Sequence, residues 1–163
     1  MKKYTYEESL NFLEKLNKLE NRKYSTKLLL IVEKTKITLN SIKKDIQKRF
    51  DSCSTEGFKK FEDARFNLIK LCGEKDESGN VKIENNNALI SKDKLSYFNE
   101  KILELQNEYS NDIDKTNENL KEFDSYIKKE SEFTPTTVGQ SYFPEEMTPE
   151  LFDTLKAFIK EEE

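Results

Sequence analysis

Carboxylates are the most abundant groups that could do chemistry in this 163-residue chain, which has 32 Asp and Glu residues and no His. Without His, the commonest acid/base at neutral pH and the commonest metal ligand are both missing. Nucleophile schemes that pair His with Ser or Cys are impossible for the same reason. Two carboxylates could still act as general acid and base, but with so many acids no single pair is informative. We therefore interpret the acids as solvated helix faces and predict that the protein is not an enzyme.

One loop has oxygen-bearing side chains at alternate positions, as calcium-binding loops do. These side chains are Asp76, Ser78 and Asn80. An EF-hand loop that begins at Asp76 would need Gly at position 81 and Glu at position 87, but the chain has Val81 and Asn87. The sequence therefore predicts a plain turn here and no calcium site.

The cysteines and glycines do not form any of the other common sites. Cys53 and Cys72 have no CxxC spacing and no His to join them, so we expect two free thiols and no zinc. Four glycines in the whole chain cannot supply a phosphate-binding loop, and no nucleotide-binding or serine-hydrolase motif is present. We expect neither a metal nor a cofactor.

The charge balance bears on the class of partner. The chain has 28 Lys and Arg residues against 32 acids, for a net charge of −4, and only three of the basic residues are arginines. Because Arg is preferred for bidentate contacts with phosphate and guanine, we expect no direct binding to nucleic acid. No apolar run approaches the roughly 20 residues of a membrane span. Residues 1–8 become acidic where a signal peptide would become apolar, so we expect a cytoplasmic protein that does not bind membranes.

The chain begins with a predicted helix. Thr5 followed three residues later by Glu8 is a capping-box pattern. This pattern predicts a helix that runs to about Glu20, followed by a short break at 21–24.

A long helical segment follows the break. Ser25 can cap it, and its apolar residues recur every three or four positions, with the polar Thr35 filling one gap. The predicted stripe consists of Leu28, Val32, Leu39, Ile42 and Ile46. One helix could run over 25–72, but the weak helix formers at 51–55 favour two helices that meet there.

The pattern changes after Gly73, which is expected to end a helix. Residues 74–80 are turn formers. Segments 81–84 and 88–90 could pair as a small β-hairpin around a turn at 85–87. Because an isolated hairpin is marginally stable, we expect it to lie against a helix.

The last third of the chain is predicted to contain two more helices. Ser91 is expected to cap a helix over 92–129, which forms the second member of a long antiparallel pair. The segment 131–147 contains two of the three prolines and no regular period, which predicts an extended linker. Thr148 and Pro149 then form an N-cap and a first helical position.

These patterns predict a mainly α fold. We expect a helical bundle built on a long antiparallel helix pair, with a small β-hairpin in the connection and a C-terminal helix on a linker. The expected domains are a helical domain over 1–130 with the hairpin near 81–90, a linker over 131–147 and a C-terminal helix over 148–163.

Acidic residues on the long helix are the first group of candidates for binding a partner. Glu100, Glu104 and Glu108 recur every four residues and therefore share one helix face. Such a face could cover a basic groove of another protein.

Aromatic residues near the C-terminus are the second group of candidates. Phe133, Tyr142 and Phe143 lie in the predicted linker, where they could pack back onto the helices or form part of a partner-binding surface. The apolar stripe of the last helix, which includes Phe152 and Phe158, would become an interface if that helix did not fold back.

Three segments occur in an order that bears on the origin of the chain. They are Gly-Glu-Lys-Asp-Glu-Ser-Gly-Asn at 73–80 with a short strand-like stretch after it, a helix that contains Phe98, Glu100 and Leu105, and Thr-Pro-Glu-Leu-Phe-Asp-Thr-Leu-Lys-Ala-Phe-Ile at 148–159. This order resembles a family of small, uncharacterised bacteriophage proteins over most of the chain, although 110–133 departs from it. The resemblance implies a phage or prophage origin in a low-GC bacterium and brings no catalytic residues with it.

We interpret the chain as a non-enzymatic, phage-type protein that binds a host protein and inhibits or redirects it, in host takeover or against host defence. The first alternative is a virion assembly chaperone or scaffold, which would form homo-oligomers. The second is a sponge that sequesters a small molecule, which would need a pocket.

Overall fold

The structure is a computed structural model that describes residues 3–19 and 24–160. These residues form a mainly helical fold with a small antiparallel hairpin between helices, which confirms the predicted fold class. The helices are α1 (Tyr6–Asn17), α2 (Thr26–Asp51), α3 (Glu56–Cys72), α4 (Leu95–Glu108), α5 (Ser110–Ile127) and α6 (Pro149–Leu155), and the strands are β1 (Ile83–Glu84) and β2 (Asn87–Ala88). Within the described ranges, no helix has both the length and the apolar composition to cross a membrane.

The chain divides into two compact units. The terminal unit combines Met1–Asp51 with Phe123–Glu163, and the central unit is Ser52–Glu122. The predicted domains are consecutive segments of the chain. The terminal unit instead combines the N-terminal and C-terminal segments of the chain.

In the terminal unit, α1 begins at the predicted capping box. The Glu8 amide donates to Thr5 Oγ1 over 3.1 Å, and the Thr5 amide donates to Glu8 Oε2 over 2.9 Å. α1 ends at Asn17, so the prediction that it runs to about Glu20 was too long. Most of the predicted break at 21–24 lies outside the described residues. The core face of α1 consists of Ser9, Phe12, Leu13 and Leu16.

The predicted stripe of α2 is the second half of this core. Ser25 Oγ accepts from the Leu28 amide over 3.3 Å, as predicted for a cap. The buried positions are Leu28, Val32, Thr35, Leu39 and Ile46, and Ile42 is packed against them with part of its surface exposed. One narrow face of α2 is therefore covered and the rest faces solvent.

The segment predicted as a linker is extended and packs on this core. The Val138 amide donates to the Phe158 carbonyl over 2.7 Å, and the Lys160 amide donates back to the Val138 carbonyl over 2.9 Å. Leu151, Leu155 and Phe158 are all buried, so the C-terminal helix packs within its own chain.

In the central unit, α3 and α4 form an antiparallel pair. The Ser91 amide donates to the Cys72 carbonyl over 2.9 Å at one end of the pair, and the rings of Phe61 and Tyr109 lie 6.3 Å apart further along. Cys53 and Cys72 are both buried, and no disulfide joins them. Ser91 makes no capping bond with its side chain: a 3₁₀ turn at Lys92–Lys94 precedes α4, so the predicted cap was wrong in this detail.

The hairpin joins α3 to α4, and its turn is one residue shorter than predicted. Asn85 and Asn86 have φ values of 48° and 64°, which is the left-handed pair that a two-residue turn requires. Asn87 belongs to β2 and pairs with Glu84. Gly73 ends α3 with an extended backbone, and a Cβ there would lie 2.6 Å from Val81 Cγ1.

The chain breaks between α2 and α3 where the weak helix formers predicted it, and polar contacts within the central unit fix the start of α3. The Thr55 amide donates to Thr116 Oγ1 over 3.2 Å, and Thr55 Oγ1 donates to Asp112 Oδ1 over 2.7 Å. Thr116, the polar residue in the apolar series of α5, is fully buried. Gly57 allows this approach because a Cβ there would lie 2.1–2.5 Å from the Asp112 carboxylate.

We predict that Gly57→Ala destabilises the protein by about 1–2 kcal/mol, although Ala inside a helix is normally about 1 kcal/mol better than Gly. The new methyl group would push Asp112 away from Thr55 and break their hydrogen bond. Urea unfolding of G57A, D112A and the double variant is the measurement. The double variant should be more stable than additivity allows, because Ala at position 112 removes the clash; additive free energies would contradict this explanation.

We predict a pH dependence from Asp153 on α6. Hydrogen bonds from Lys15 and Lys156 lower the pKa of Asp153 from 3.8 to about 2. A carboxyl group with a lower pKa in the folded state stabilises that state above its unfolded pKa, and the contribution is lost as the pH falls through the folded pKa. The melting temperature of Asp153→Asn should therefore be below that of the wild type at pH 7, and the gap should narrow below about pH 4. A gap that stays constant, or one that Glu145→Gln reproduces, would contradict the assignment.

Candidate protein-binding surface

α4 and α5 form a continuous helical surface although a turn at Tyr109 separates them. The Tyr109 amide donates to the Leu105 carbonyl and the Ile113 amide donates to the Tyr109 carbonyl, both over 3.0 Å. The helical spacing of residues therefore continues through the turn. The stripe that is half-buried or buried consists of Phe98, Ile102, Leu105, Tyr109, Ile113, Thr116 and Leu120.

The opposite side of the same helices is exposed and acidic. Its residues, which we call the outer acidic stripe, are Glu100, Glu104, Asn107, Asn111, Asp114, Glu118 and Glu122, and every one is exposed. Steps of three or four residues keep the stripe on one side of the helix. At a rise of 1.5 Å per residue, it extends over about 33 Å.

Two lysines lie beside the outer acidic stripe. Lys101 Nζ lies 2.5 Å from a Glu104 carboxylate oxygen, and Lys115 Nζ lies 3.7 Å from one of Glu118. The hydrogen bond to Glu104 raises the pKa of Lys101. Exposed pairs of this kind contribute little free energy and are screened by salt, so they can be exchanged for contacts with a partner.

The net charge of the chain resides in the central unit. Ser52–Glu122 has 15 acidic and 11 basic residues, for a net charge of −4, whereas the sequence of the terminal unit has 17 of each. The outer acidic stripe therefore belongs to a unit that is itself acidic. The negative potential of the stripe adds to that of the rest of the central unit.

The structure places the predicted acids on or beside this stripe. Glu100 and Glu104 are part of it, and Glu108 is exposed next to Asn107 at its edge. The nearby Glu108 carboxylate raises the pKa of Tyr109. Sequence reasoning missed three further carboxylates, those of Asp114, Glu118 and Glu122. The signal that could have found them is the same three- and four-residue spacing, continued past the turn.

Two of the predicted aromatic residues lie in the core of the terminal unit. Phe133 is 4% exposed and Phe158 is fully buried, and their ring centroids lie 6.1 and 5.6 Å from that of Phe12. Phe143 is half-buried against the same core. The sequence left two roles open for the linker aromatics, and these side chains pack back onto the helices. Phe133 and Phe158 therefore have almost no exposed surface that a partner could contact.

The remaining predicted aromatic residues are exposed in the terminal unit. Tyr142 is 36% exposed, with Lys27 Nζ 4.2 Å from the centre of its ring, and Ser25 Oγ donates to the Tyr142 carbonyl over 2.7 Å. Phe152 is 47% exposed on α6. They are separate single side chains, whereas the acids form an extended stripe.

A pocket of about 490 Å³ lies between the end of α1 and the start of α6. Its charged lining combines Lys15 and Lys18 with Glu150 and Asp153. Because the Asp153 carboxylate already binds Lys15 at 2.7 Å, the lining does not select a ligand of either charge.

The residues considered for calcium form a turn. Asp76 Oδ1 accepts from the amides of Ser78 and Asn80, each over 2.9 Å, so this oxygen is used by the backbone. Among the described residues, no three acidic or cysteine side chains are grouped so that they could hold a metal ion.

No protein-family model matches the chain, and neither does any curated protein or solved structure. The resemblance to phage proteins stays a prediction from the sequence. The outer acidic stripe is the most extended exposed charged feature described above.

We predict that the outer acidic stripe contributes little to stability. The triple variant E100Q/E104Q/E122Q should change the free energy of unfolding by less than about 0.5 kcal/mol per substitution, because all three side chains are exposed. Urea unfolding is the measurement. Thr116→Val is the contrast, because it removes the buried hydroxyl that accepts from the partly buried Thr55 amide and should cost about 1–3 kcal/mol. A comparable loss in the stripe variant would mean that these acids have a structural role.

Proposed function

We propose that this protein is a non-enzymatic binding protein of phage type, which inhibits or redirects a host protein by laying its outer acidic stripe on a basic surface of that protein. The observation that carries the proposal is the stripe itself: five carboxylates on one exposed helix side over about 33 Å. The proposed place of action is the cytoplasm of a bacterial host.

The geometry of the stripe favours an elongated basic partner surface. A groove that binds nucleic acid is lined by Lys and Arg that neutralise a row of phosphates. A row of carboxylates along the two consecutive helices α4 and α5 presents charge of the same sign as those phosphates. Opposite charges also speed encounter with the partner and discriminate against acidic proteins.

The exposure of these carboxylates favours binding over catalysis. Carboxylates that act as general acid or base are usually placed in clefts, where burial and neighbours shift their pKa values. The acids of the stripe stand on a convex helix surface instead. Each can contact a partner, and none is enclosed with a substrate.

A virion assembly chaperone or scaffold is the second candidate function. Leu30 and Ile37 on α2 are 58% and 70% exposed, on the side opposite to the buried stripe of that helix. Exposed aliphatic side chains on a long helix favour contact with another protein chain, which an assembly factor requires.

Capture of host proteins by the tagged full chain tests the proposal. We expect one host protein to co-purify in a stoichiometric complex, which is then purified and its dissociation constant measured. The variant E100K/E104K/E118K should weaken this complex at least about tenfold, because three attractions become repulsions. Binding of the wild type should also weaken as salt is raised, because the contacts are charged.

A matched control separates a local contact from a general effect of charge. The variant E132K/E145K/E146K has the same net charge as the stripe variant, and its three substituted side chains are exposed in the terminal unit. It should bind the host protein as the wild type does. Equal loss in both variants, or no loss in the stripe variant, would contradict binding through the outer acidic stripe.

A further inference from the structure

The exposed side of α2 carries a stripe of opposite charge to that on α4 and α5. Its residues, which we call the outer basic stripe, are Leu30, Lys34, Ile37, Ser41, Lys44 and Lys48, and every one is exposed. They recur in steps of four and three residues, and each follows a residue of the covered stripe by two positions. Because two residues turn an α-helix by about 200°, the outer basic stripe lies on the side opposite to the covered stripe. The stripe contains three lysines and no acid. The neighbouring Glu33 is already paired with Lys36 at 3.1 Å.

The spacing of the lysines matches that of the acids in reverse order. Lys34, Lys44 and Lys48 are separated by ten and then four residues. Glu100, Glu104 and Asp114 are separated by four and then ten residues. On an α-helix these steps are about 15 and 6 Å. The step from Glu104 to Asp114 crosses the turn at Tyr109, where the hydrogen bonds of helical spacing continue. Two helices that run in opposite directions can therefore bring all three pairs of charges together in one register.

We propose that the outer basic stripe docks on the outer acidic stripe of a second copy of this chain. In the antiparallel register, Lys48 lies opposite Glu100, Lys44 opposite Glu104 and Lys34 opposite Asp114.

The same register covers apolar surface that is otherwise in water. Ile37 lies opposite Asn111, Ser41 opposite Asn107 and Leu30 opposite Glu118, whose methylene groups, together with those of its neighbours, would cover the two aliphatic side chains. Their burial adds a hydrophobic contribution that does not depend on salt, and the three ion pairs specify the register.

A second copy is a better occupant than a nucleic acid or an anionic membrane. Either of those would attract the lysines, but neither requires a spacing of ten and four residues. The acids Glu100, Glu104 and Asp114 of this chain have that same spacing. A protein surface can also cover the exposed aliphatic side chains of Leu30 and Ile37. The contact involves one helix from each copy and is small, so it should be weak and sensitive to salt.

Sedimentation of the full chain tests the proposal. At about 300 μM protein and about 50 mM salt, we expect the weight-average mass to be at least about 1.5 times that of the monomer, as for a dissociation constant near 100 μM. At about 500 mM salt, the association constant should fall at least about tenfold. A wild-type chain that stays monomeric at low salt overturns the proposal, whether or not it binds vesicles of anionic lipid or a DNA duplex.

Reversal of each stripe gives a sharper test of the register. The variants K34E/K44E/K48E and E100K/E104K/D114K should each be monomeric, because each then has two stripes of one sign. An equimolar mixture of the two should associate, because the basic stripe of one variant meets the acidic stripe of the other. Two variants that still associate alone, or a mixture that stays monomeric, overturn the proposal.

Controls cover folding and general charge effects. Circular dichroism and a cooperative thermal transition show that each variant is folded, and the single exchanges Lys44→Glu and Glu104→Lys repeat the mixing test with minimal change. The variant K60E/K92E/K128E alters exposed lysines outside the stripe and should leave the association constant within about twofold of wild type.

This inference does not rest on the proposed function. The variant K34E/K44E/K48E keeps the outer acidic stripe intact, so it should still capture the host protein. Failure of self-association and failure of host binding therefore appear in different experiments.

Discussion

Each long helix of this protein has only one narrow apolar stripe to bury, and the rest of the structure depends on that constraint. Charged residues make up 37% of the chain and hydrophobic residues 34%, so there is little apolar surface to spare. On α2 the stripe from Leu28 to Ile46 is covered, while the other side of the same helix faces solvent. On α4 no residue is fully buried. The exposed helix sides are therefore wide, and their charges determine what they can bind.

Polar residues at core positions specify how the helices meet. Thr116 interrupts an apolar series, and its hydroxyl accepts from the Thr55 amide at the start of α3. A buried hydroxyl is costly without a partner, so this contact favours one register of α5 against the start of α3 over its neighbours. Asp112 and Gly57 complete the contact, one through a hydrogen bond to Thr55 and the other by leaving room for it. A thin core gains its specificity from such bonds.

Under the proposed function, a protein built in this way would recognise partners through charge patterns more than through pockets. Single exposed ion pairs contribute little, and salt screens them over about 8–10 Å. A row of charges with a fixed spacing is more selective, because all of its members match a partner in one register only. The outer acidic stripe and the outer basic stripe are both rows of this kind, and the helices that carry them have a regular rise. In both proposals, the spacing of charges along a helix would therefore take the place of a shaped cavity.

The sequence by itself determined the elements, because capping and periodicity are local. The capping box at Thr5, the N-cap at Thr148, the break near 51–55 and the buried stripe of α2 could all be predicted from neighbouring residues. Two of the acids in the outer stripe were predicted in the same way, and the same three- and four-residue spacing continued beyond Glu108 would have given Asp114, Glu118 and Glu122. Only the tertiary structure decided that Phe133 is buried and that the last helix packs within its own chain. Those outcomes depend on contacts between distant parts of the chain, and helical periodicity carries no information about which face meets which.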